Sequence, residues 1–305
     1  MEFITSYGQK IVKGMINKRL LAGLLVLPLV FSAGYLQFRK EKRFTRTFPI
    51  HFSPKYHPYI KTSINSITDH FVLDTGGSFF CQLDEKAAPL FDHAQFHRTL
   101  KSIDIHSGIF EEDEFFLENV NFLGINFSRL YLLKGEDNLF ERGILSTSPT
   151  DFEKNTEVED YAGALIGHKL LSNFDVYFDF PNKKLAIYNT GLNPLFHFPY
   201  RFLLSTKKIP IDYLDHAGVI CEVQTEHGSK KFLIDTGCPS TLVKGEPNKN
   251  EILNTFVIGS KNYGPIQAVS TPLTLFKDFD GIIGMDLLYD KSLYIDFENK
   301  FICLE

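Results

Sequence analysis

Two blocks of this 305-residue chain occur twice, in the same order. FVLDTGGS at 71–78 returns as FLIDTGCPS at 232–240, and FPIHF at 48–52 returns as IPIDY at 209–213, so Asp74 maps to Asp235 across 161 residues. Downstream, ALIGHKLL at 164–171 returns as GIIGMDLL at 281–288, and VYFDFPNK at 176–183 returns as LYIDFENK at 293–300, with Gly167 mapping to Gly284 across 117 residues. Constant spacing inside each block, kept in the same order, marks two copies of one folding unit. The first copy carries 161 minus 117, or 44, extra residues between its blocks. This restricts the chain to architectures in which two similar units pack together.

Each copy reads as strand. YIKTSI, HFVLD, GVICEV, KFLID, VYFDF and LYIDF are short, rich in β-branched and aromatic residues, and bounded by Gly, Pro, Asn or Asp. Helical periodicity beyond the N-terminus is sparse, and one short helix per copy is expected at IGHKLL and IGMDLL. The copies are expected to span 48–188 and 209–305, joined by a connector at 189–208 rich in turn residues. The surplus is assigned to the charged stretch 134–161, with some in 81–100, because a surface loop lengthens at modest entropic cost.

An Asp-Thr-Gly triplet after an apolar strand starts a turn in many proteins, and a turn is its bland reading. Two of them in equivalent places change that reading. If the copies pack about a pseudo-two-fold axis, Asp74 and Asp235 face each other. Carboxylates about 3 Å apart do not both ionise easily, so they share a proton. One then serves as base and the other as acid, the equipment for adding water to an amide carbonyl. Gly76 and Gly237 are expected to take φ > 0 in the tight turns. Thr75 and Thr236 are expected to hydrogen-bond across the axis. No metal, cofactor or covalent nucleophile is needed.

With these residues the chain resembles the aspartic proteases of the pepsin-like and retropepsin-like clan. The resemblance covers nearly everything from residue 48 onward. It rests on VLDTG and LIDTG, each followed by a hydrophobic-hydrophobic-Gly element, LIG at 165–167 and IIG at 282–284. It implies an all-β, double-lobed acid-protease barrel fold with pseudo-two-fold symmetry, built as a tandem of retropepsin-like halves. It further implies a peptide or protein substrate, catalytic Asp74 and Asp235, and support from Thr75, Gly76, Thr236, Gly237, Gly167 and Gly284. A flap hairpin is implied as well, with HSGIF at 106–110 and GSKNYG at 259–264 as candidates. The sequence departs from the pattern just after each triplet, where pepsin-like enzymes carry Ser or Thr. Gly77 and Cys238 supply no hydroxyl, which should raise the carboxyl pKa values. A binding module that keeps the fold without cleaving is the alternative function. A homodimer pairing each copy with its twin is the alternative assembly to a monomeric catalytic unit.

Other residues read more plainly. His168 corresponds to Met285, so packing is expected there. Glu111, Glu112, Asp113 and Glu114 lack metal-loop spacing and read as a solvated hairpin edge. Asp179 and Asp296 match each other and are expected to be structural. Cys238 beside the dyad reads as a small packing residue. The four cysteines are far apart and form no C-x-x-C pair, and a net charge of -5 gives no basic surface for nucleic acid.

The N-terminus is distinct. Residues 20–38 carry no charge, enough helix to cross about 30 Å of hydrocarbon. A single-pass anchor at 19–38 is expected, after a leading segment 1–18 and before a basic linker 39–47. The catalytic unit would then lie outside the cytoplasm. A cleaved signal peptide is the alternative, and basic residues on both sides leave orientation undecided.

Overall fold

The computed structural model describes residues 45–53, 56–83, 88–104, 108–135, 164–189, 207–247, 249–273 and 276–305. The expected anchor at 19–38, the leading segment and most of the basic linker lie outside these residues. So do most of the charged stretch 134–161 and most of the connector. Among the described residues no helix is long and apolar enough to cross a membrane.

The described chain is mostly strand. Its first half runs β1 (Thr45–Pro49), β2 (His51–Phe52), β3 (Pro58–Ile64), β4 (Ile67–Asp74), β5 (Cys81–Leu83), α1 (Ala88–Phe91), β6 (Gln95–Asp104), β7 (Gly108–Phe122) and β8 (Ile125–Lys134). It continues as β9 (Ala164–Gly167), α2 (His168–Leu171), β10 (Phe174–Asp179) and β11 (Lys184–Asn189). The second half runs β12 (Ile209–Leu214), β13 (Gly218–Thr225), β14 (Gly228–Ile234), β15 (Leu242–Lys244), β16 (Lys249–Leu253), β17 (Phe256–Ile258) and β18 (Lys261–Asn262). It closes with β19 (Ile266–Thr271), β20 (Gly281–Ile283), α3 (Met285–Leu288), β21 (Ser292–Asp296) and β22 (Phe301–Leu304). β1 begins at Thr45, so the last three residues of the expected linker are already strand, paired with β11.

The two repeats appear as two copies of one strand weave. In the first half β4 runs parallel to β9, β9 antiparallel to β5, and β5 parallel to β8. In the second, β14, β20, β15 and β19 repeat those relations. Parallel strands are covered on both faces, which is why these segments read as continuous apolar runs without alternation. Leu73 and Ile166 are fully buried, and Ile234 and Ile283 are 1% exposed. Phenylalanine fills both cores: Phe71 meets Phe122 at 5.1 Å between ring centroids, and its counterpart Phe232 meets Phe256 at the same 5.1 Å.

The halves join through a six-stranded seam ordered β1-β11-β10-β21-β22-β12, three strands from each. Its centre is the antiparallel pair β10–β21, where Tyr177 stands opposite Tyr294. Those two tyrosines are also sequence equivalents, 117 residues apart, so the pseudo-two-fold axis passes between them. One face of the seam carries Tyr177, Tyr188, Tyr294, Phe301 and Cys303, all buried.

The halves differ most between their two blocks. Cys81 to Lys134 uses 54 residues where Leu242 to Thr271 uses 30, so the long β6–β7 hairpin absorbs 24 of the 44 extra residues. The acidic run lies on β7, and only its alternate members face solvent, because strand side chains point to opposite faces. Glu112 is 9% and Glu114 4% exposed. Glu112 accepts a 2.6 Å bond from Gln82 Nε2, and Glu114 accepts 2.8 Å from Arg98 Nε. A solvated edge therefore describes only Glu111 and Asp113.

Candidate active site

β4 and β14 each end in an apolar triplet that holds its strand against a buried parallel neighbour, and the chain leaves the sheet just beyond, at the two Asp-Thr-Gly turns. The neighbours fix where the aspartates stand: Asp74 is in register with Gly167 on β9, and the Asp235 N–H donates to the Ile283 carbonyl on β20 at 3.0 Å. The short helices secure the loops from behind. The first N–H groups of a helix have no partner inside it. Those of His168 and Lys169 donate to the carbonyls of Gly77 and Phe79 at 2.9 and 3.2 Å. Those of Met285 and Asp286 donate to Cys238 and Pro239 at 2.8 and 3.1 Å. Gly167 and Gly284, the residues before these helices, leave no room for a Cβ. At Gly167 a Cβ would lie 2.2 Å from the Phe79 carbonyl oxygen, and at Gly284 2.5 Å from that of Ser240.

Thr75 and Thr236 tie the loops to each other. The Thr75 N–H donates to Thr236 Oγ1 at 3.1 Å, and the Thr236 N–H donates to Thr75 Oγ1 at 3.0 Å. Each hydroxyl then donates across the axis, Thr75 to the Ile234 carbonyl at 2.8 Å and Thr236 to that of Leu73 at 2.5 Å. Both threonines are fully buried, so every one of these groups depends on its partner in the other half.

This lock brings the carboxyls of Asp74 and Asp235 beside each other: the Cβ position of Gly237 lies 2.7 Å from Oδ1 of Asp74 and 3.2 Å from Oδ1 of Asp235. Asp74 Oδ1 accepts from the Gly76 and Gly77 N–H groups at 3.0 and 2.8 Å, and Asp235 Oδ1 accepts from Gly237 at 2.7 Å. Neither Gly76 nor Gly237 has a positive φ, contrary to the sequence expectation. Glycine is required for a different reason: a Cβ on Gly76 would lie 2.4 Å from Cγ of Asp235, and one on Gly237 2.7 Å from Cγ of Asp74. Each glycine is the floor beneath the other half's aspartate.

Burial raises the pKa of both carboxyls. For Asp74 the neighbouring charge and hydrogen bond of Asp235 raise it further, so it stands well above the ordinary range, while backbone N–H bonds pull the other way. The pair therefore keeps a proton at pH values where a free aspartate has lost it. Among the described residues no group of three or more His, Cys, Asp or Glu is placed to hold a metal ion.

No protein-family model matches this chain. No curated protein matches it either. Solved structures do, and two of them are these. One is the crystal structure of basic 7S globulin from soybean, with a TM-score of 0.48 and 8% identity over 87% of this chain and 95% of that one. The other is that of conglutin gamma, a basic 7S globulin from lupine seeds, with a TM-score of 0.48 and 9% identity over the same shares. Likeness this distant says nothing of the chemistry.

Around the dyad, several residues have roles that their sequence positions did not reveal. His168 is fully buried and crosses to the other half, its Nδ1 3.1 Å from the Tyr213 hydroxyl. Burial, with the charges of Lys169 and His216, pushes its pKa down to about 3, so the ring is neutral. Asp286 holds the second loop through Thr241, accepting from its N–H at 2.8 Å and its hydroxyl at 2.7 Å. Cys238 donates its thiol to the Ser240 carbonyl at 3.1 Å, and burial together with Asp235 raises its pKa well above that of a free thiol. It is a protonated thiol. None of the four cysteines is in a disulfide. Asp179 and Asp296 each bind an asparagine three residues on, Asn182 Nδ2 at 2.9 Å and the Asn299 N–H at 2.8 Å, which closes the β10–β11 and β21–β22 turns.

The flap candidates part ways. HSGIF begins within 105–107, outside the described residues, and continues into β7, so it belongs to the end of the β6–β7 hairpin. GSKNYG makes the turn between β17 and β18, and β17 is clipped to β13. It is an ordinary hairpin turn.

Proposed function

We propose that this chain is an aspartic endopeptidase that hydrolyses peptide bonds with water activated between Asp74 and Asp235. The contact between two carboxyls from equivalent loops, one proton between them, carries the reading. The ionised member removes a proton from water as the oxygen bonds to the peptide carbonyl carbon. The protonated member gives its proton to the carbonyl oxygen. Collapse of the resulting diol breaks the C–N bond: the proton taken from water passes to the leaving nitrogen, and one diol hydroxyl returns its proton to the other aspartate as the carboxylic acid forms. Neither step needs a group the chain lacks.

The test is cleavage of a peptide library by the purified protein and by Asp74→Asn, Asp235→Asn and the double variant. One shared site predicts that each single change removes activity as completely as the double, because the two groups act as a unit. Half-activity in a single variant would mean separate sites and would overturn the reading.

The second reading is a peptide- or partner-binding module of the same fold. The lack of a hydroxyl at Gly77 and Cys238, where pepsin-like loops carry one, favours it. Peptide binding without cleavage, unchanged by either Asp→Asn substitution, is its signature. For the N-terminus we propose a membrane anchor at 19–38; release of the full chain from membranes by alkaline carbonate would overturn that.

A further inference from the structure

The two flanks of the dyad differ in bulk. In the first half the place where a Cβ of Gly77 would lie is 2.5 Å from Cε1 and Cζ of Phe79 and 2.7 Å from Oδ2 of Asp74. The Phe79 ring thus folds back over Gly77, beside the carboxyl, and fills the space that a side chain at 77 would occupy. It is fixed there. Its Cδ2 lies against Gly167, where a Cβ would come within 2.7 Å, and its carbonyl accepts the Lys169 N–H at 3.2 Å.

The second half has no such ring. The counterpart of Phe79 is Ser240, 161 residues on, and Ser240 lines a cavity of about 450 Å³ together with the polar Thr241, Gln267 and Asp286 and the apolar Ile266, Val269 and Leu287. That volume falls within the usual range for ligand pockets, roughly 300–1,000 Å³. The counterparts of Gly77 and the fully buried Cys81 are Cys238 and Leu242, both partly exposed, and like Phe276 they pack on the buried cluster that includes Ala217, Leu233 and Ile282. One flank is closed by an aromatic ring. The other opens on a cavity whose lining is mixed and more polar than apolar.

We propose that Phe79 makes the cleft one-sided. It restricts the substrate residue on the Asp74 side of the scissile bond to a small side chain, while the Asp235 side receives a larger one. This rests on the proteolytic reading and names its substrate class: peptides cut between a small and a larger residue. A steric filter of this kind discriminates by about 10- to 100-fold, the range expected of pocket size alone.

The experiment is a peptide library varied independently at the two residues flanking the cut, tested on wild type, Phe79→Ala and Ser240→Phe. Wild type should tolerate bulk on one side only. Phe79→Ala should raise kcat/KM about 10- to 100-fold for peptides with a bulky residue on the restricted side, leaving the other preference in place. Ser240→Phe should impose the restriction on the opposite side. Equal tolerance on both sides in wild type overturns the inference, and so does Phe79→Ala widening both sides or neither. Should Phe79→Ala fail to fold, Phe79→Leu and Ser240→Phe decide by the same readout. If wild type binds the peptides without cutting them, the proteolytic reading alone fails. Fluorescence anisotropy of the same library then decides whether the one-sided relaxation is present. A chain that neither binds nor cuts overturns both.

Discussion

Asp235 shows how a site residue can cost stability. Its pKa is raised by burial, and that of Asp74 is raised by burial and by Asp235. A carboxyl with a raised pKa binds its proton more tightly folded than unfolded, where aspartate titrates near about 3.9. Stability from this pair is therefore fullest at low pH, and it falls as pH rises from the unfolded value toward the folded one. Asp235→Asn keeps an oxygen for the Gly237 N–H and removes one acid. It should abolish cleavage, by about 1,000-fold or more, yet raise the melting temperature at pH 7 by several degrees, a gain that shrinks toward pH 4. A lower melting temperature at pH 7 would contradict this account. The pH–rate profile carries a second prediction. With no hydroxyl at Gly77 or Cys238 to stabilise the ionised form, maximal activity should lie above about pH 3; a maximum below that would show that the backbone N–H bonds outweigh the missing hydroxyls. The aspartates and threonines were legible because the repeat printed them twice. Phe79 was not, since no spacing says which way a ring folds. His168 was read from its counterpart Met285 as packing, and its bond to Tyr213 lies in a pairing of halves that one residue does not reveal.

Among elements, the β10–β21 pair carries a second carboxyl problem. Asp175 and Asp296 flank the Val176–Ile295 pair, one from each half, and are 3% and 1% exposed. Asp296 accepts the Asn299 N–H at 2.8 Å and its Nδ2 at 3.1 Å. Asp175 Oδ1 is buried without a partner among the described residues. Burial, with the charges of Asp296 and Glu298, pushes the Asp175 pKa up to about 7, against a smaller lowering by Tyr294. The sign follows as for the dyad: the protonated form is favoured by folding, so stability drops between about pH 4 and pH 7 and is then flat. Asp175→Asn should raise the melting temperature at pH 8 by several degrees and change it little at pH 4, as read by calorimetry. An equal effect at both pH values would mean shape, and not charge, governs the position. The strands of this seam were legible as VYFDF and LYIDF, apolar on one face. That they pair with each other was not, because a sequence shows periodicity within a strand and nothing of its neighbour. The length of the β6–β7 hairpin was not legible for a related reason: its polar, alternating run suits a two-sided exposed ribbon as well as a loop.

For the whole molecule the question is whether two copies make two folding units or one. The seam shares six strands equally, and the threonine lock places buried donors of one half on acceptors of the other. Thr236→Val keeps the shape and deletes the hydroxyl. It strands the Thr75 N–H, which donated to Thr236 Oγ1, and the Leu73 carbonyl, which accepted from it. Each buried polar group left without a partner costs about 1–3 kcal/mol, so the substitution should cost about 2–6 kcal/mol. In a unit of this size that lowers the melting temperature by roughly 5–20 °C. If the halves fold as one, calorimetry of Thr236→Val will show a single transition displaced as a whole, its enthalpy still that of the entire described chain. If they fold separately, two transitions will appear and the lock will matter only where they touch. The dyad argues for the first outcome. Two acids that share a proton need their separation fixed to a fraction of an ångström, and neither half carries both. A fold that came apart between the halves would lose that geometry long before it lost its strands, so cleavage and the single transition should fail at the same temperature.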